Sequence, residues 1–94
     1  MIETPKPMPE VNAGQIWFHQ GRVVEPYVVR GVFPNPEGYE RTGQITAPPI
    51  VVYEQDYDGE VAKKGTIWAR PLPDFLGVTE INGKLVPNFV LKVA

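Results

Sequence analysis

The stretch VTEINGKLVPNFVLKV, residues 78–93, carries the plainest fold information in the chain. Two β-forming runs flank Asn82-Gly83, a dipeptide that tolerates positive φ at both central positions of a two-residue hairpin loop. It predicts an antiparallel hairpin whose second arm, KLVPNFVLKV, is one long strand. Working outward, the same grammar of short strands and turn residues recurs. GQIWFH (14–19) alternates Ile16 and Phe18 against Gln15, Trp17 and His19, then turns at Gly21. RVVEPYVVRGVF (22–33) is β-branched and aromatic, but Pro26 cannot donate to a ladder and should mark a bulge, an edge or a break. IVVYEQDY (50–57) reads as a central strand, Asp58-Gly59 as a turn, EVAKKG as a hairpin tip and TIWARP (66–71) as the returning strand.

No stretch keeps a 3.6-residue period long enough for an extended helix, so the class is all-β. PDFL (73–76) suits a single helical turn with Asp74 near its start. Short strands in a chain of 94 residues must bury one face against each other. A small, half-open SH3-like barrel is the expected way to hide edges, with an open, curved antiparallel sheet as the alternative. Residues 1–10, with Pro5, Pro7 and Pro9, read as a flexible arm, and 11–94 as a single domain. Residues 34–49 hold four prolines and two glycines without a period and read as a long loop, a candidate lid or insertion.

Composition removes several function classes. Nine Lys and Arg against eleven Asp and Glu give a net charge of -2, no basic field for duplex DNA. Cysteine is absent, which excludes disulfides and thiolate chemistry, and there is no serine and one histidine, so no Ser-His or Cys-His pair can form within the chain. Catalysis is the minority reading, resting on His19 as a lone general base. No apolar run suits a membrane span and the N-terminal segment lacks a leader's basic and apolar regions, so the expected address is cytoplasmic, with no membrane partner. EQDYDGE (54–60) starts like a calcium loop, but Gly65 stands where the bidentate carboxylate belongs; no metal and no cofactor is expected.

The sharpest puzzle is IWARP (67–71), because Trp68 and Arg70, two apart on a strand, must share a face. Two registers are open. With Ile67, Ala69 and Pro71 turned to the core, Trp68 and Arg70 stand together outside as a recognition surface. With Trp68 filling the core, Arg70 snorkels out or pairs with a carboxylate such as Glu54 or Asp74. The candidate binding set is Trp17, His19, Tyr53, Trp68 and Arg70, an aromatic and cationic face for a nucleotide, a nucleobase-like molecule or another planar or anionic ligand, including single-stranded nucleic acid. Two other features are weighed beside it. Lys63 and Lys64 with Arg22 and Arg41 could form a local basic patch, and an exposed Leu72, Phe75 and Phe89 patch would make the chain a protein-interaction or homodimerisation module.

With GQIWFHQG, YVVRGV, VVYEQDYDG, IWARPLPDF and VTEINGKLVPNF in that order, residues 14–89 resemble the bacterial domain-of-unknown-function family numbered 1653. Trp17, His19 and Gly21 fall on that family's aromatic, histidine and turn positions; Tyr53, Tyr57 and Gly59 on its VVY and Tyr-Gly positions; Trp68, Arg70, Pro71 and Phe75 on its WVRP-Phe motif. Two departures stand out: the family's polar middle segment is replaced by the Pro-rich 34–49, and the Arg of its terminal PRF is Asn88. The resemblance implies a shared small β fold and no particular activity.

Overall fold

A computed structural model describes residues 10–34 and 48–93. All of the expected N-terminal arm but Glu10, and most of the 34–49 loop, Arg41 included, lie outside the described residues. Seven strands and one short helix follow in order: β1 (Ile16–His19), β2 (Pro26–Phe33), β3 (Ile50–Gln55), β4 (Ile67–Pro71), α1 (Leu72–Phe75), β5 (Val78–Ile81), β6 (Lys84–Pro87) and β7 (Phe89–Leu91). Five strands form an antiparallel sheet in the order β4-β3-β2-β1-β7, and β5 pairs with β6 in a separate hairpin. The two edge strands β4 and β7 do not pair with each other. Of the two expected architectures, the open antiparallel sheet is the observed one, and it is not closed into a barrel.

The strands alternate as half-buried strands should. Gln15, Trp17 and His19 share a face with Tyr27 and Val29, with Tyr53 and Gln55, and with Trp68 and Arg70, because the ladder pairs Trp17 with Tyr27, Tyr27 with Gln55, Val29 with Tyr53 and Tyr53 with Trp68. This inner face holds the core: Trp17, Tyr27, Val29, Val51, Tyr53 and Phe89, closed from above by Phe75 of α1. Pro26 is the first residue of β2, where no donor is missed. The bulge falls later, between Val29 and Gly31, and shifts the alternation so that Val32, opposite Val51, takes the inner side. Arg30, left out of the ladder there, pairs with Glu54 at 2.8 Å.

The Asn82-Gly83 hairpin forms as expected, with φ of 50° and 77° at the two turn residues. Its second arm is not one strand. The chain leaves β6 at Pro87, and Asn88 passes it into β7 of the main sheet. Asn88 is buried and satisfied on every side: its Nδ2 donates to the Asp74 carbonyl at 2.7 Å, its Oδ1 accepts from the Thr79 hydroxyl, its N–H donates to Gly77 and its carbonyl accepts from Gln20. Helix, hairpin, β1–β2 turn and sheet are thus tied at one residue. Gly77 beside it has no room for a side chain, since a Cβ would sit 2.9 Å from the Pro73 carbonyl oxygen.

Two sequence expectations are corrected where α1 folds over the inner face. Phe75 and Phe89 are not an exposed patch with Leu72; they stack face to face at 4.3 Å inside the core. The helical turn starts at Leu72, one residue before the expected 73–76, with Pro73 at its first turn. Among the described residues no helix is long and apolar enough to cross a membrane.

Candidate functional site

Phe75 covers only one end of the inner face. At the other end the same face opens into a cavity of about 660 Å³. Its floor is Tyr27, Tyr53 and Phe89, set edge to face with centroids 5.2 to 5.6 Å apart. One wall is β4, presenting Trp68 and Arg70; a second is the β1–β2 turn with Arg22 and Glu25; the third is the segment 57–62 after β3.

Of the two registers considered for IWARP, the one with Trp68 on the core side is observed, but without the enclosure expected of it. Trp68 and Arg70 do share the core face, and Ile67, at 56 % exposed, and Ala69 face outward. Yet Trp68 is not enclosed: at 38 % exposed it stands at the open end of that face, its indole N–H donating to Gln55 Oε1 at 3.1 Å. Gln55 is itself buried, and its Nε2 donates to the carbonyls of Tyr57 and Ala62. One amide therefore fixes both the tryptophan wall and the loop opposite it.

Arg70 pairs with neither Glu54, which is held by Arg30, nor Asp74. Its Nε donates to the Tyr53 hydroxyl at 3.0 Å, and its Cζ lies 5.6 Å from the Phe89 centroid. Among the described residues no carboxylate lies within ion-pair distance of it, and its four terminal N–H groups find no acceptor. Burial pushes the Tyr53 phenol above its ordinary pKa, a rise that Arg70 beside it partly offsets.

Across the floor a second polar group forms. His19 Nδ1 lies 3.3 Å from Glu25 Oε1, and Arg22 donates to Glu25 Oε2 at 3.0 Å. The Tyr57 hydroxyl donates to Glu25 Oε1 at 3.3 Å, so the Tyr27–Tyr57 contact of 2.9 Å must have Tyr27 as its donor. That leaves lone pairs on the Tyr27 oxygen to accept from a bound molecule. Burial alone would raise the Glu25 carboxyl, but hydrogen bonds from Arg22, His19 and Tyr57 hold it below its usual value. Tyr27 is pushed well above the ordinary phenol range, first by burial and then by Tyr57.

Of the five expected site residues, His19, Tyr53, Trp68 and Arg70 line this cavity. Trp17 does not. It shares their face but, at 2 % exposed, lies under α1 with its ring edge-on to Phe75 at 5.2 Å, and it serves the core. Glu25, Tyr27, Gln55, Tyr57 and Phe89 belong to the site and were not assigned to it by sequence, which placed Phe89 in an exposed patch instead. Tyr27 and Gln55 carried a signal, their even spacing from Val29 and Tyr53 along β2 and β3; Phe89 carried none, since the break at Asn88 sets its face. The basic patch does not assemble from the described residues: Arg22 is committed to Glu25, and Lys64 lies 3.5 Å from Asp56. The EQDYDGE segment is tied to the turn that follows it, with the Lys64 N–H donating to Asp58 Oδ1 and the Gly59 N–H to the Ala62 carbonyl.

Against protein-family models, curated proteins and solved structures alike, the chain finds no match.

Proposed function

We propose that this protein is a non-catalytic binding module that takes a planar ligand with an anionic group into the aromatic cavity at the open end of its sheet. The observation that carries this reading is Arg70. A guanidinium over an aromatic floor has given up part of its hydration, and the Tyr53 hydroxyl replaces only one of its hydrogen bonds. A ligand carboxylate or phosphate would supply two parallel N–H···O bonds to the free fork, the geometry in which arginine is strongest. Trp68, held upright by Gln55, offers a flat apolar surface beside it.

The reading is tested by a thermal-shift screen against nucleotides, nucleobases, short oligonucleotides and common aromatic metabolites, since a ligand that prefers the folded state raises its apparent stability. At least one planar anion should raise the melting temperature in the native protein and not in Arg70→Met. A hit that survives Arg70→Met unchanged would contradict it. The cytoplasmic address expected from the sequence accompanies this reading as a proposal. So does kinship with the family numbered 1653, supported by the placing of VVY and WARP on adjacent strands with Phe75 packed over them.

A second reading, a homodimerisation module, is favoured by the outer face of the sheet. Ile67, Val90 and Phe33 are exposed there beside half-buried Phe18, Val28 and Val52, with Arg30–Glu54 as an ion pair among them. Sedimentation velocity separates the two: a concentration-dependent mass abolished by Ile67→Glu supports the dimer, and a monomer at all concentrations removes it.

A further inference from the structure

We infer that the ligand class is narrower than planar anions in general: a small aromatic or heteroaromatic monocarboxylate, with nucleoside polyphosphates and single-stranded nucleic acid excluded. The inference rests on the cavity reading above and adds the charge of the whole lining. Among the described residues, three carboxylates, Glu25, Asp58 and Glu60, line the cavity against two guanidinium groups, Arg22 and Arg70. Arg22 is already consumed by Glu25 at 3.0 Å, so among the described residues of the lining Arg70 is the cation left to receive a ligand. Asp58 and Glu60 line the same cavity and are exposed, so they repel any second negative charge that extends out of it. A chain of phosphates would have to run past them.

The far side of the floor supports the same class. His19 and Arg70 both lie against one ring, at 5.5 and 5.6 Å from the Phe89 centroid, so a single small ring seated at this part of the floor is within reach of both. A carboxylate on that ring would reach the Arg70 fork, while the His19 imidazole and the Tyr27 oxygen are available to a further polar atom of the ligand. Such a ligand leaves room for one charge at one end, as the lining demands.

The test compares matched probes by thermal shift and calorimetry: benzoate, nicotinate and indole-3-carboxylate; their neutral amides; and adenosine diphosphate with a short oligothymidylate. At least one carboxylate should bind and raise the melting temperature, its amide should bind about tenfold more weakly or not at all, and the polyanions should give no shift. Arg70→Met should lose the carboxylate shift. Glu60→Gln, a surface change that leaves the fold intact, should tighten carboxylate binding. If the polyanions bind through Arg70 and the carboxylates do not, the monocarboxylate inference fails while the cavity reading stands. Equal binding of acid and amide removes the role given to charge. If no planar molecule of any charge binds, both readings fall.

Discussion

Arg70 and Tyr53 are diagonal neighbours across the β3–β4 ladder, and the guanidinium Nε donates to the phenol oxygen at 3.0 Å. The phenol is buried in the core and the arginine stands at the cavity, so the bond fixes a mobile cation to the most rigid part of the molecule. Tyr53→Phe should keep the fold and cost about 1 kcal/mol in urea unfolding. Its larger effect should be on ligand affinity, because the fork is then no longer pre-oriented. Unchanged affinity in that variant would mean that Tyr53 does not position Arg70.

Asn88 joins four segments through hydrogen bonds made in a buried setting. Asn88→Ala leaves the Asp74 carbonyl and the Thr79 hydroxyl without their partner and should cost about 1–3 kcal/mol for each group left unsatisfied. Chemical denaturation reads this directly. A loss under about 0.5 kcal/mol, the scale of an ordinary surface substitution, would show that the joint between helix and hairpin is held by other contacts.

Glu25 gives the acid limb of stability a defined sign. Its carboxyl titrates lower in the folded protein than in the unfolded chain, so its contribution is complete above the unfolded carboxylate pKa of about 4.5. It is lost as pH falls from there through the folded value. Stability measured against pH should drop over that window in the native protein and drop less in Glu25→Gln. Identical acid limbs would contradict the Arg22–Glu25–His19 arrangement.

Tyr27 and Tyr53 act at the other end of the scale. Both phenols are raised in the folded state, so stability is full below the unfolded pKa of about 10 and falls as pH rises above it. Absorbance titration should find these two tyrosines ionising above the ordinary phenol pKa of about 10.

Much of the fold was legible because it depends on local rules. Asn82-Gly83 specified its turn, and the period-two pattern of GQIWFH put Trp17 and His19 on one face; Pro26, expected at a bulge, an edge or a break, opens β2. What could not be read was what covers that face. The position of α1 depends on long-range packing of Phe75 against Trp17, Tyr53 and Phe89, and no local pattern reports it. Hence the choice between Trp68 inside and Trp68 outside was posed too simply: the inner face is roofed at Trp17 and open at Trp68. The break of KLVPNFVLKV at Asn88 escaped for a related reason. A residue whose side chain bonds to Asp74 and Thr79 looks, in sequence, like any asparagine within a β run.

The most direct test of the central claim uses the two indole N–H resonances, one at each end of the inner face. Nicotinate or indole-3-carboxylate is titrated into ¹⁵N-labelled protein. The Trp68 indole N–H and the Arg70 Nε–H should shift together and saturate, with the backbone of the 57–62 wall following, while the Trp17 indole under α1 stays in place. Saturable binding that leaves Trp68 and Arg70 unmoved would contradict the account.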